Sequence, residues 1–208
     1  MIELFVDNLS PFGHDIDTIF DNITYIVGFW FILAQATIFY FLFRFREKPG
    51  VKAKYYSGES KSEKKWLAWP HNLVLICDVF ILVWTVQIWY DVKQDLPEPD
   101  VTIRVTGQQW AWTFTHPGPD GELDTNDDIV TINDLHVEVG KVYHFELTSL
   151  DVLHSFSVPV FRLKQDALPG RVIMGWFKAE SIGKGEYDVQ CAEMCGIGHG
   201  LMASRMTI

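Results

Sequence analysis

The sequence predicts a two-helix transmembrane hairpin followed by an all-β Greek-key sandwich. Three observations predict it. Two long apolar runs, residues 23–43 and 66–90, occupy the first half of the chain. A hydrophilic, basic stretch separates them. Beyond residue 100 the apolar residues recur at every second position, in short runs broken by Gly, Pro and Asp. That period of two marks half-buried strands, and many short strands with frequent turns mark a sandwich or barrel.

The chain is 208 residues long with a formal net charge of -10. This length holds one globular domain and some extra elements. The acidic balance argues against a nucleic-acid partner, which calls for a basic face. Three cysteines are too few for a disulfide framework. One of them, Cys77, lies in an apolar run and reads as a small buried hydrophobe.

Residues 1–22 form an acidic N-terminal segment, with Glu3, Asp7, Asp15, Asp17 and Asp21 and no Lys or Arg. Without a basic start it does not read as a secretory signal. Pro11-Phe12-Gly13 predicts an irregular beginning. Residues 23–43, Ile23 to Phe43, contain no charge. At 1.5 Å per residue, about 20 apolar residues cross a ~30 Å hydrocarbon core, and in lipid such a run must be helical.

Residues 44–65 form the basic loop, with eight Lys or Arg against three glutamates and a Pro49-Gly50 turn. The excess of positive charge places this loop in the cytoplasm. Residues 66–90 form the second span, with Trp66, Trp69, Trp84, Trp89 and Tyr90 crowding its ends as interfacial aromatics do. Both termini and everything after Tyr90 then lie on the outer side. In a bacterium this means the inner membrane, with the following domain in the periplasm. Asp78 stands near the middle of the second span, two helical turns from His71. A mid-membrane acid normally faces protein, so Asp78 reads as a contact to a partner helix, with a functional proton role as the alternative.

Residues 91–100 are a polar linker with two prolines. Residues 101–208 then carry the strand pattern: Val101-Ile103-Val105, Trp110-Trp112-Phe114, Tyr143-Phe145-Leu147, Val172-Met174-Trp176 and Tyr187-Val189. A domain of this size fits a single Greek-key β-sandwich. The acidic stretch Pro117–Asp128 lacks the residue order of a calcium-binding hand and reads as a solvated loop.

The chemistry concentrates in Cys191-Ala192-Glu193-Met194-Cys195-Gly196-Ile197-Gly198-His199-Gly200-Leu201-Met202. Thiolate, imidazole and thioether ligands suit copper and electron transfer. The Cys-x-x-x-Cys spacing is wider than the zinc-ribbon or thioredoxin-type Cys-x-x-Cys. Two thiolates in one short loop suggest two metals bridged by both sulfurs. A second histidine must come from elsewhere in the chain.

This run resembles the dinuclear copper loop of subunit II of the haem-copper oxygen reductases, the cytochrome c oxidase family. Asp151-Val152-Leu153-His154-Ser155-Phe156 is similar to the block that supplies that family's first histidine. Asp166-Ala167-Leu168-Pro169-Gly170-Arg171 and Gly107-Gln108-Gln109-Trp110-Ala111-Trp112 match two further blocks. The resemblance covers roughly residues 20–208 and implies a copper-binding, cupredoxin-like sandwich.

The resemblance also implies roles. Cys191 and Cys195 bridge two coppers, His154 and His199 cap one each, Met202 is a weak axial ligand, and Glu193 binds through its backbone carbonyl. The Glu193 side chain reaches a magnesium shared with subunit I. Trp110 takes electrons from a cytochrome c-type donor, although Trp110 and Trp112 share parity and alternation alone would bury both. Apart from the resemblance, Asp151, beside His154, is the acid best placed to steer and dock a basic donor by complementary charge; the alternative is an ordinary solubility charge. Glu63 has two readings, the mouth of a proton path into subunit I or an acid favoured by the helix dipole.

The implied partners are oxidase subunit I and other membrane subunits, membrane lipid, and a separate electron donor, since no Cys-x-x-Cys-His haem motif occurs. Haems belong only to the partner subunits. Catalytic residues for oxygen reduction and proton pumping are expected there and not in this chain. The alternatives are a copper subunit of a nitric oxide reductase and a membrane-tethered copper-delivery protein. The latter would expose an open site with fewer ligands.

Overall fold

The computed structural model describes residues 4–53 and 55–208. Two long helices come first, α1 at Gly13–Arg44 and α2 at Lys61–Lys93. Both are long and apolar enough to cross a membrane, and the apolar stretch of each leaves its side chains outside any protein core. At 1.5 Å per residue, the 32 residues of α1 extend about 48 Å, well past a ~30 Å hydrocarbon layer.

Each helix runs beyond its apolar stretch for a local reason. α1 starts ten residues before Ile23, with Asp15 in its first turn where a negative charge favours the dipole. α2 starts at Lys61 because Ser60 and Glu63 cap it reciprocally. The Glu63 N–H donates to Ser60 Oγ at 3.3 Å, and the Ser60 N–H donates to Glu63 Oε2 at 3.3 Å. That is a capping box, which satisfies two donors that helix geometry leaves without partners.

The chain divides into two compact units. Residues 18–88 form one. The described residues up to Asp17 join residues 89–208 in the other. In that second unit ten strands make two five-stranded sheets. The first contains β1 (Val101–Gln108), β2 (Ala111–His116), β3 (Ile129–Ile132), β5 (Val142–Ser149) and β8 (Ile173–Lys178), in the order β3-β2-β1-β5-β8. The second contains β4 (Asp134–His136), β6 (His154–Val158), β7 (Leu163–Ala167), β9 (Glu186–Cys191) and β10 (Ala203–Thr207), in the order β4-β10-β9-β6-β7. The β1–β5 and β4–β10 pairs are parallel and the rest antiparallel.

The core lies between the sheets. Ile103, Val105, Trp112, Phe114, Phe145, Leu147, Phe156 and Phe177 are fully buried. Phe156 is the hub: its ring meets those of Trp112, Phe145 and Phe114 edge-on, at 5.5, 5.7 and 6.3 Å between centroids. Edge-on aromatic pairs at such separations add to the burial of area.

One alternating run faces the opposite way from the core. Val172 and Met174 are exposed, and the inward residues of that segment are Gly175, Phe177 and Ala179. Strand β8 is a sheet edge with both faces carrying apolar residues, so parity alone does not identify the inner face. Its outer face is used by Trp176, which meets Phe12 edge-on at 5.1 Å and donates its indole N–H to the Val92 carbonyl.

The N-terminal segment is therefore docked on the sandwich. The Leu9 N–H donates to the Val160 carbonyl, and the Glu180 N–H donates to the Leu9 carbonyl. Arg162 binds Asp17 through two parallel bonds at 2.7 and 2.8 Å and also donates to the carbonyls of Val6, Asp7 and Pro159. Both charged side chains are almost wholly buried. A buried guanidinium is tolerated only when its donors are met in this way.

Candidate metal centre

Two loops, β5–β6 and β9–β10, converge. The β5–β6 loop delivers His154 at the first position of β6. Strand β9 ends on Cys191, and the following loop carries Glu193 and Cys195. A single 3-10 turn at His199–Leu201 then brings in Met202 before β10. The loop is pinned at its base, where the Cys191 N–H donates to the Met202 carbonyl and the Ala192 N–H to the Ser155 carbonyl.

The soft donor atoms face one another. Cys191 Sγ lies 3.8 Å from Cys195 Sγ, 3.9 Å from His154 Nδ1 and 3.3 Å from the Glu193 carbonyl oxygen. Cys195 Sγ lies 3.6 Å from His199 Nδ1 and 3.8 Å from Met202 Sδ. All three cysteines are free thiols. His154, Cys191 and Cys195 place one ligand atom each within 4.8 Å of one another. The donor set fits a soft metal: two thiols at the centre, an imidazole on each flank, and a weak thioether and carbonyl beyond them.

Cys195 is buried, and burial pushes its thiol up to about 11, with the neighbouring Cys191 thiol reinforcing the shift. Two adjacent thiolates here require a positive charge between them, which is what a bound metal supplies.

His154 is held from behind. Its Nδ1 faces Cys191 and its Nε2 meets Asp151 Oδ1 at 2.8 Å. The carboxylate also accepts the N–H groups of Gln109 at 2.7 Å and Val152 at 2.6 Å. Burial raises the Asp151 carboxyl, but the bonds from His154, Gln109 and Val152 outweigh it and leave it below its ordinary range. A carboxylate behind a ligating histidine selects the tautomer and orients the ring. Gly107 packs close beside it: a Cβ there would stand 3.0 Å from the His154 ring and press on it.

Trp110 lies outside the strands, in the two-residue turn between β1 and β2. This separates it from Trp112, which shares its parity: Trp112 is fully buried and Trp110 is 40% exposed. The Trp110 indole N–H donates to the Cys195 carbonyl at 3.3 Å, and the Gln109 side-chain amide donates to the same oxygen at 2.7 Å. A Cβ at Gly198 would collide with the Trp110 ring, and one at Gly196 would press on Gln109 and Trp110. The two glycines therefore let the indole lie flat against the ligand loop. Reading the ligand run as ligands passes over Gln109, whose sequence signal is its place in the Gly107–Trp112 block, and over both glycines, whose signal is the Gly-x-Gly between Cys195 and His199.

The remaining residues sit elsewhere. Glu63 closes the capping box of α2. Asp78 is exposed on α2. The Glu193 side chain is half-buried, and among the described residues it joins no cluster of three metal-capable side chains.

Fold and site together define a β-sandwich protein with two membrane-length helices and a thiol-rich site that can hold a metal. Residues 101–207 match the family model for the periplasmic domain of cytochrome c oxidase subunit II. An alternative cytochrome c oxidase subunit 2 of Bradyrhizobium diazoefficiens is 34% identical over 222 residues, covering 96% of this chain and 77% of the relative. A cytochrome c oxidase subunit 2 of Cereibacter sphaeroides is 29% identical, covering 95% of this chain and 73% of the relative. A crystal structure of the periplasmic domain of subunit II of a Bradyrhizobium japonicum cytochrome oxidase shares 33% identity. It covers 54% of this chain and 86% of that one, with a TM-score of 0.46. The chain belongs to the cytochrome c oxidase subunit II family, whose members are parts of an oxidoreductase complex.

Proposed function

We propose that this chain is the electron-accepting subunit of a respiratory terminal oxidase. It takes electrons from a cytochrome c-type donor and passes them to haem in subunit I, where oxygen is reduced to water and protons are pumped. The observation that carries the reading is the convergence of two thiols, two imidazoles, a thioether and a carbonyl on one spot. A copper-delivery protein has no use for so many ligands.

Cys191, Cys195, His154, His199, Met202 and the Glu193 carbonyl would hold a copper pair. Such a pair, when bound, takes up and releases a single electron with little change in its bonds. The chain's own residues supply the rest. Cys191 and Cys195 give up their protons on loading. Asp151 fixes the His154 ring with Nδ1 inward, which also makes its carboxylate a positioning group before it is a docking charge. The rigid sandwich and the pinned loop base keep the ligands from rearranging. Trp110 offers a half-exposed indole whose N–H reaches a ligand's own backbone, a short covalent and hydrogen-bonded route from the surface to Cys195.

The topology supports an outer-face site. The described residues up to Asp17 and those from Trp89 onward belong to one unit, and two membrane-length helices lie between them. Two crossings return the chain to its starting side. The basic loop then faces the cytoplasm, and the sandwich faces the periplasm of a bacterial inner membrane. For Glu63 the capping box accounts for the side chain as observed. A proton-path role and a magnesium at Glu193 need groups from subunit I.

The test is an EPR spectrum of the copper-loaded full chain, with donor kinetics of Trp110→Phe beside it. A shared unpaired electron gives a seven-line hyperfine pattern, and a four-line pattern overturns the paired site. Trp110→Phe is expected to slow electron uptake with that spectrum unchanged. Unaltered kinetics would remove Trp110 from the route.

A further inference from the structure

The described residues hold a second built feature, remote in sequence from the metal centre. Within the unit of residues 18–88, α1 and α2 leave between them a groove of about 1070 Å³. Its walls are apolar and aromatic: Phe29, Trp30 and Leu33 from α1, and Trp66, Trp69 and Leu73 from α2. That volume is at the upper end of small-molecule sites, roughly 300–1,000 Å³. The walls are open rather than packed, with Trp66 and Trp69 among the most exposed aromatics in the chain.

One end of the groove is polar. Lys61, Ser62 and Lys65 line it, on the first turn and a half of α2. Among the described residues neither lysine is held in an ion pair. The acid on the same turn, Glu63, accepts the Ser60 N–H and the Ser57 hydroxyl with its carboxylate. Two free ammonium groups and a hydroxyl therefore stand at the mouth of an apolar slot, at the depth where tryptophans mark the membrane boundary. Pro70 also lines the groove. It has no N–H to give to the Trp66 carbonyl one turn earlier.

An anionic headgroup above and a hydrocarbon chain below match this arrangement. A peptide helix filling the slot would bury the lysines without a counter-charge, which is costly. We propose that the groove between α1 and α2 binds an anionic phospholipid, with its phosphate on Lys61, Ser62 and Lys65 and an acyl chain against Trp30, Leu33, Trp66 and Trp69. The site rests on the membrane anchor alone and is independent of the electron-transfer reading. Juxtamembrane lysines near an anionic surface contribute about fivefold each in association, so the pair supplies a preference of about 25-fold over a zwitterionic lipid.

The test uses the full chain in phosphatidylcholine nanodiscs, with brominated acyl chains as tryptophan quenchers. Brominated phosphatidylglycerol is expected to quench at far lower mole fraction than brominated phosphatidylcholine. Lys61→Gln with Lys65→Gln should erase that difference. Lys48→Gln with Lys52→Gln, in the loop outside the groove, should keep it. The helical far-ultraviolet circular dichroism of the full chain serves as the folding control and is unaffected in either pair. Equal quenching by the two lipids, or a preference that survives K61Q/K65Q, overturns the proposal. So does a preference lost equally in K48Q/K52Q, which would mean a diffuse basic surface. In the assembled oxidase, loss of quenching by both lipids would show a partner helix in the groove and overturn it as well. Inorganic phosphate is expected not to compete, because it has no chain to bury.

Discussion

Asp151→Asn tests how the site is held together. The carboxylate uses both oxygens: Oδ1 meets His154 Nε2 at 2.8 Å and the Val152 N–H at 2.6 Å, and Oδ2 accepts the Gln109 N–H at 2.7 Å. Asparagine keeps the shape but turns one oxygen into a donor, which must then face another donor. It also removes the charge that strengthens the His154 bond. A charge-assisted bond is worth about 1.5–3 kcal/mol against about 0.5–1.5 for a neutral one. The Asp151 side chain is 32% exposed, so water replaces part of what is lost, and the lower end applies. A loss of about 1.5 kcal/mol corresponds to copper binding weakened about tenfold. Changes behind ligating histidines generally cost about 10–100-fold. The assay is a competition titration of the full chain against a chelator, read in the thiolate-to-copper absorption band. Asp151→Ala, which leaves His154 Nε2 with nothing to hold it, should weaken binding further. Affinity within twofold of the parent for both variants would show that the loop backbone, and not Asp151, orients the ring.

Three further outcomes are expected. Asp17→Ala should strand the buried Arg162 guanidinium at a cost of about 3–5 kcal/mol, lowering the unfolding midpoint by roughly 10 °C in a thermal scan; a shift under about 2 °C would mean that water replaces the pair. Gly198→Ala should push the Trp110 ring off the loop, raising its accessibility to iodide and slowing electron uptake while the copper spectrum stays. His116 is held below its ordinary value of 6.5 by burial first and by the nearby His136 second. The unfolded chain therefore binds more protons just below pH 6.5, so stability is full above that value and falls as the pH drops through it, levelling off at the folded value. His116→Gln should flatten that part of the urea midpoint against pH, and an unchanged slope would assign it to another group.

Much of this protein is written in local pattern. Charge-free runs long enough to cross lipid, a basic stretch between them and a period of two after residue 100 each follow from near-neighbour chemistry. The ligand run is legible for the same reason: five of the six proposed ligands lie within twelve residues, and a thiol or thioether declares its chemistry wherever it sits. Long-range geometry decided the rest. His154 comes to the loop only because β6 pairs with β9, with Phe156 opposite Cys191. Trp110 is separated from Trp112 by a turn that interrupts the strand, which parity cannot register. Asp151, which sequence reads as a docking or solubility charge, turns back onto His154. Val172 and Met174 alternate like core residues yet face outward, because an edge strand can be apolar on both sides. Residue type determines what a side chain can do, while the pairing of distant strands determines which side chains meet, and a metal centre needs both.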